Sequence, residues 1–316
     1  MLGATGTIGR ATVRALQARG HEVVCFVRAG GDTRRAAFDP GVTVRHGDVG
    51  DPASLARDGF RGESFDALVS CMASRTGVPK DAWAIDHQAH LNALTAARDT
   101  GVTQVVLLSA ICVQKPQLAF QRAKLAFESV LMASGMTYSI VRATAFFKSL
   151  SGQVARVQGG KSFLLFGDGL LTACKPISDD DLAAYLADCL DDVTRHDRIL
   201  PIGGPGPAIT PQAQGERLFV LTGRPPKYTR VPVAMLDVII GVLSTLGRVI
   251  PSLADKAELA RIGRYYATES MLVLNPQTGR YEADATPETG TETLFDYYAT
   301  LVRGEARVER GEHAVF

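Results

Sequence analysis

Gly3-Ala4-Thr5-Gly6-Thr7-Ile8-Gly9 decides how this chain is read. A helix is predicted directly behind it, from Arg10 to Ala18, followed by an apolar extended run, Glu22 to Val27, that ends at Arg28. Loop, helix and strand in that order make a βαβ unit of the dinucleotide-binding kind once its first strand is complete. Each glycine has a mechanical task. Gly3 makes the tight turn, Gly6 lets backbone approach a pyrophosphate, and Gly9 lets helix and strand pack closely. Thr5, Thr7 and Ile8 complete the cradle, because a helix start offers free N–H groups and a partial positive charge to phosphate. The same glycine spacing occurs in ordinary turns; the helix and strand behind it give it weight.

Only Met1 and Leu2 precede the loop, where a strand of about five residues belongs. Such a strand normally runs through the middle of a parallel sheet, and its loss would leave neighbouring backbone groups unpaired. The expectation is a truncated first strand, with the natural chain beginning upstream of Met1.

The 316 residues can hold one large α/β unit with a smaller lobe, or two domains. A hydrophobic content of 46% and a charged content of 21% describe an ordinary globular chain. A net charge of +1, without a run of Lys and Arg, gives no electrostatic case for nucleic acid. Cys25, Cys71, Cys112, Cys174 and Cys189 lack any C-x-x-C spacing and read as reduced cysteines of a cytoplasmic protein. No metal site is expected, since ligand spacing is absent. The most apolar stretch, Val233 to Leu253, is broken by Asp237, Arg248 and Pro251. It is too interrupted for a membrane span and reads as a core helix, a lid over an apolar substrate, or a surface that touches a membrane.

Strand and helix signals alternate through the first half. Val42–Arg45, Phe65–Met72, Gln104–Ser109 and Thr137–Arg142 read as strands, and Asp81–Asp99 and Leu118–Ser134 as helices. The fold class is therefore α/β, a Rossmann-type doubly wound parallel sheet with a smaller C-terminal substrate lobe. The division expected is a nucleotide-binding domain over 1–145 and a lobe over 146–316 that returns elements to the sheet. In that lobe Ile199–Ile202 reads as a strand, Thr210–Thr222, Pro232–Val249 and Thr291–Arg303 as helices, and Gly304–Phe316 as a loosely held end.

Ligands of such a sheet bind beyond the carboxyl ends of its strands. Arg28 ends the second strand, beside the adenosine ribose, where a guanidinium favours the 2′-phosphate of NADPH; the alternative is a solvated strand-end arginine. Asp48 with the Val49 backbone is placed for the adenine, or Asp48 is a turn aspartate. Cys71, at the end of a buried strand, belongs to the same edge. Ser109 ends another strand, and Phe120-Gln121-Arg122-Ala123-Lys124 lies on the helix after it. Positions 120 and 124 share a helix face. They resemble the Tyr-x-x-x-Lys element of short-chain dehydrogenases/reductases with phenylalanine in the tyrosine's place. Lys124 can hold the nicotinamide ribose and supply positive charge, while Ser109 is a weaker catalytic candidate.

Several further blocks share one resemblance: Leu108 to Pro116, Phe146-Phe147-Lys148-Ser149-Leu150, Phe166-Gly167-Asp168-Gly169, Ala173 to Ser178, Leu200 to Gly206 and Gly263-Arg264-Tyr265-Tyr266-Ala267. Together with the glycine loop they are similar to the divinyl chlorophyllide a 8-vinyl-reductases, atypical NADPH-dependent members of the short-chain reductase superfamily. The likeness runs from Gly3 to about Leu301, and the short N-terminus departs from it.

The resemblance implies reduction of the C8 vinyl group of a magnesium chlorin to ethyl in (bacterio)chlorophyll synthesis. The substrate is a flat apolar tetrapyrrole, the magnesium is the substrate's own, and Phe146, Phe147 and Tyr265 are expected to line its site. An exocyclic vinyl conjugated to a macrocycle delocalises developing negative charge, so a missing tyrosine acid is tolerable. Lys115, Lys148, Lys175, Tyr265, Tyr266 and water all stay open as proton source. Peripheral contact with a photosynthetic membrane stays open too. The competing reading is an NADP-binding redox sensor of the NmrA-like kind, which shares the glycine loop and lacks turnover.

Overall fold

The computed structural model describes residues 1–30 and 38–306. Residues 31–37, in the loop after Arg28, and residues 307–316 of the charged end lie outside the described residues. The chain divides into two compact units. The first comprises Met1–Arg75, Lys80–Ala143 and Asp179–Pro201; the second comprises Thr76–Pro79, Thr144–Ser178 and the chain from Ile202 onward.

The first unit is built on parallel strands: β1 (Val24–Arg28), β2 (Thr43–Gly47), β3 (Ala67–Ser70), β4 (Gln104–Ala110) and β5 (Thr137–Ala143), with β6 (Arg198–Ile202) at the edge. Leu2 bridges Phe26 of β1 on one side and Ser70 of β3 on the other, both in parallel. The lateral order is therefore β2, β1, Leu2, β3, β4, β5, β6, the order of a Rossmann sheet.

Met1 and Leu2 stand in the place of the first strand. Leu2 N–H donates to Val69 O at 2.9 Å, and Leu2 O accepts from Cys71 N–H at 3.0 Å. On the other side Met1 O accepts from Phe26 N–H at 3.0 Å, and the Met1 amino group donates to Val24 O at 2.8 Å. Two residues pair the neighbours of a central strand, and burial holds the Met1 amino group below its ordinary range.

The helices of this unit are α1 (Thr7–Ala18), α2 (His90–Asp99), α3 (Ala119–Met132) and α4 (Asp179–Asp188). The helix read over Asp81–Asp99 is a composite: one α-turn, Pro79–Ala82, then a π-helical stretch, Trp83–Ala89, then α2. α4 is not among the helices expected from the sequence; it opens on an acidic first turn of Asp179, Asp180 and Asp181. It packs on α1, where Arg14 meets Asp180 at 2.8 Å and Arg19 meets Asp188 at 2.5 Å. The core, with Leu55, Phe127, Leu131 and Ile140, lies against the sheet.

The second unit has its own core around Phe147, Leu165, Leu218 and Tyr298. Its strands Phe163–Phe166 and Tyr228–Val231 pair in parallel, and α5 (Pro211–Thr222) and α8 (Leu294–Arg303) close the cluster. The apolar run read as one helix divides into α6 (Val233–Leu246) and α7 (Pro251–Thr268), with Pro251 at the first turn of the second. These two helices pack on one another, joined by Arg264–Asp237 and by Arg261 donating to Ser244 at 2.6 Å. Among the described residues no helix is long and apolar enough to cross a membrane.

Candidate functional site

Parallel pairing brings the carboxyl ends of β1 to β5 to one edge, and the predicted binding residues gather there. Gly3 turns the chain at φ +71°, and a Cβ on it would meet the Cys71 carbonyl carbon at 2.5 Å. A Cβ on Gly9 would meet the Gly3 carbonyl oxygen at 2.0 Å. Both glycines are demanded by the protein's own backbone. Gly6 is different. It caps α1 with ordinary extended torsions, φ −71° and ψ 165°, and its missing Cβ would touch only the Gly3 oxygen, at 3.5 Å. Nothing in the fold itself needs a glycine at position 6, so its bareness keeps a surface clear for a ligand.

Arg10 N–H closes the first helical bond to Gly6 O at 2.9 Å. The N–H groups of Thr7, Ile8 and Gly9 have no partner inside the helix, and no acidic side chain occupies the first turn. That set suits a pyrophosphate: bare backbone, three amides and the positive end of the helix. Thr5 is exposed, and its carbonyl accepts from Arg10.

Arg28 lies opposite Gly47 in the β1–β2 register, so it and Asp48 end adjacent strands, both exposed. Asp48 Oδ1 accepts from Gly50 N–H at 2.8 Å, which makes it the organiser of its own turn. Val49 is buried, and its carbonyl accepts from Asn92 Nδ2 at 3.2 Å. Cys71 contributes backbone here. Its thiol sits 3.6 Å from Thr12 Oγ1 under α1, and burial pushes it up to about 12, which keeps it protonated.

Lys124 and Ser109 are held by buried networks. Lys124 Nζ is 2.9 Å from Asp86 Oδ1; their side chains are 12% and 0% exposed. The same oxygen accepts from Ser74 N–H at 3.2 Å. Next to the pair, His90 Nδ1 lies 2.9 Å from Ile85 O and Nε2 lies 2.9 Å from Ser70 Oγ. A carbonyl can only accept, so Nδ1 carries the hydrogen and Nε2 accepts from the Ser70 hydroxyl. Burial, and secondarily the Lys124 charge, press His90 down to about 4.

The native chain thus keeps His90 neutral where the unfolded chain would protonate it. Stability held above pH 6.5 is expected to fall between pH 6.5 and 4, by on the order of 3 kcal/mol at the lower end. Urea unfolding at pH 7 and pH 4.5 checks this, and a His90→Asn variant should lose that share of the acid sensitivity.

Ser109 belongs to the second of these networks. Its hydroxyl donates to Glu128 Oε1 at 2.5 Å, and Glu128 Oε2 accepts from Arg142 at 2.5 Å. Phe120 is buried where the tyrosine of the related element would stand. Three site neighbours escaped the sequence reading: Asp86, Glu128 and Arg142. A signal for them existed, because Gln121, Lys124 and Glu128 form one polar stripe on a helix that exposes Val130 and Met132 instead.

In the second unit, the expected trio of substrate residues separates. Phe147 is buried in the core, its ring 5.5 Å from that of Tyr297. Tyr265 is buried against Tyr266, with Tyr281 beside it donating to Glu269 at 2.8 Å. The Phe147 and Tyr265 rings are both buried. Phe146 is half-buried at the cap of a short helix, and Tyr266 is exposed. Lys175 is buried and bonded to Glu288 at 3.1 Å and to Thr286 O at 3.3 Å. Lys175 and Tyr265 thus sit in buried bonded surroundings.

A family model described as NAD(P)H-binding matches residues 3–193. The chain is 49% identical over 328 residues to the chloroplastic divinyl chlorophyllide a 8-vinyl-reductase of Oryza sativa subsp. indica, covering 99% of this chain and 81% of that protein. It is 47% identical over 330 residues to the enzyme of the same name from Arabidopsis thaliana, covering 99% of this chain and 78% of that one. Among solved structures it is similar to an NADPH-dependent quinone oxidoreductase of Escherichia coli with NADPH, at TM-score 0.65 and 19% identity over 95% of this chain and 98% of that one. An isoflavone reductase is similar at TM-score 0.64 and 18% identity, over 95% and 97%. At such identities the solved structures share the fold.

Proposed function

The chain belongs to the divinyl chlorophyllide a 8-vinyl-reductase family, and from that premise we propose how its residues carry out the reaction. The enzyme is an NADPH-dependent oxidoreductase that converts the C8 vinyl group of divinyl chlorophyllide a to ethyl. The near full-length identity to the plant reductases carries this conclusion, since it extends through both units of the chain.

Bound NADPH supplies a hydride to one vinyl carbon; a proton must reach the other. Gly6, with the Thr7, Ile8 and Gly9 amides, seats the pyrophosphate. Arg28 holds the 2′-phosphate, and Asp48 and Val49 border the adenine. Lys124 holds the nicotinamide ribose hydroxyls and keeps a positive charge close to the transferred hydride. Negative charge developing on the vinyl group spreads into the conjugated ring, so no phenol is required and Phe120 suffices. Of the aromatic residues expected to touch the substrate, Phe146 keeps that role, with Tyr266 in place of its buried neighbour.

Incubation with NADPH and divinyl chlorophyllide a tests the reading: the Soret band should shift to the blue, and tight NADPH binding without a shift would overturn it. Replacing Arg28 with Ala is expected to weaken NADPH about 10- to 100-fold and leave NADH nearly unchanged. Fluorescence titration with both nucleotides measures it.

Peripheral contact with a membrane belongs to the same reading. No residue of α6 is buried, and Val238, Val242 and Leu246 form one stripe, with Val249 beyond the helix 83% exposed. Lys227, Arg230, Arg248 and Lys256 are exposed around it. The helix itself carries Asp237 as its one charge, so the apolar face and the cations flanking it in sequence together support contact with an anionic lipid interface. The protein is expected to sediment with anionic vesicles, and a V238D/V242D variant to stay in the supernatant.

A further inference from the structure

Asp86 has no counterpart in the assignments above, yet its environment is unusual for a carboxylate. It is fully buried on the π-helical stretch Trp83–Ala89, and that stretch packs on α3, the helix that carries Lys124. A π-turn widens a helix and re-aims its side chains, and such turns recur at functional sites. One oxygen takes both the Lys124 ammonium and the Ser74 amide; the other, Oδ2, is buried with no hydrogen-bond partner among the described residues. A buried carboxylate with an unpaired oxygen is costly, and apolar replacements of such pairs are often more stable. Folding does not account for its presence.

We propose that Asp86 is the positioning residue for Lys124, fixing the ammonium where the nicotinamide ribose of the bound cofactor is held. This rests on the role given to Lys124 above. A lysine carries its charge on four rotatable bonds, and a free one would spread over many rotamers. The other charged or titratable neighbours do not supply the restraint. His90 is neutral and tied to Ser70 and Ile85, and Glu128, one turn further along α3, is taken by Ser109 and Arg142. Asp86 alone pairs with the ammonium among the described residues.

The test is a double-mutant cycle read by NADPH fluorescence titration and by turnover of divinyl chlorophyllide. Asp86→Asn keeps the shape and removes the charge. It is expected to raise the NADPH Kd about 10-fold and to lower kcat by a further factor of about 10, with the KM for the pigment little changed. In a Lys124→Met background the same substitution should add less than about a twofold change, because Asp86 then has nothing to position. Should Asp86→Asn not fold, Asp86→Ser enters the same cycle. Losses that multiply in the double variant would overturn the inference, as would an Asp86→Asn enzyme indistinguishable from wild type beside an impaired Lys124→Met. A Lys124→Met enzyme that binds NADPH and turns over normally would remove the ribose role of Lys124, and this inference with it.

Discussion

Gly9→Ala is expected to abolish NADPH binding and destabilise the fold, while Gly6→Ala abolishes binding and leaves the free protein nearly as stable as wild type. The two glycines lie three positions apart in one loop, yet their reasons differ. A methyl group at position 9 would sit 2.0 Å from the Gly3 carbonyl oxygen and 2.8 Å from its carbon, both backbone atoms. The loop would have to move away from the start of α1, an overpacking cost of about 1–3 kcal/mol or more. The amides of Thr7, Ile8 and Gly9 would lose their common aim with it.

At position 6 the methyl meets one atom at ordinary contact distance, and the torsions suit alanine. Its effect on the free protein should stay within about 0.5 kcal/mol. The methyl does, however, occupy the surface left clear for the pyrophosphate. Thermal melts with and without NADPH separate the cases: wild type rises with ligand, Gly6→Ala melts normally without responding, and Gly9→Ala melts early and does not respond. A Gly6→Ala protein stabilised by NADPH like wild type would place the pyrophosphate elsewhere.

The same loop shows what could be read from the sequence and why. Glycine spacing, the helix behind it and the alternation of β3, β4 and β5 with helices are local patterns, and they fixed the sheet and its binding edge. What escaped was direction. Phe146 and Phe147 are adjacent, as are Tyr265 and Tyr266, and in each pair one ring is buried while its neighbour is not. Tyr265 and Tyr266 are adjacent helical positions, which point about 100° apart, and Phe146 is an extended cap beside helical Phe147, so composition alone could not choose within either pair. Pro251 interrupts the apolar stretch Val233–Leu253 in the sequence, and in the structure it opens α7; the two helices meet so closely that a Cβ on Gly247 would lie 2.8 Å from Ala254 N. Asp86 lies far from Lys124 in sequence, and the packing of its π-helical stretch on α3 brings them together. Met1 and Leu2 are too few to count as a strand by length, and their backbone groups bond to both neighbouring strands.

Ser109 was a catalytic candidate by its place at a strand end, and the same place explains why its loss should be mild and that of Arg142 severe. Ser109 and Arg142 are partners in the β4–β5 register, and both reach the Glu128 carboxylate, which is 1% exposed. Removing the hydroxyl in Ser109→Ala costs one charge-assisted bond, about 1–3 kcal/mol. Arg142→Met leaves a buried carboxylate without its counter-ion, a loss of about 3–5 kcal/mol and a large share of a domain's stability. Adding Glu128→Met to Arg142→Met removes the stranded charge, so the double variant should recover much of that loss. None of the three touches the cofactor in the proposed arrangement. Turnover per folded molecule is therefore expected to stay within about threefold of wild type in Ser109→Ala, well short of the 100-fold or more that loss of a proton-transferring group costs. Urea midpoints and single-turnover rates together decide it: a stable Ser109→Ala enzyme with turnover reduced 100-fold would return Ser109 to the chemistry.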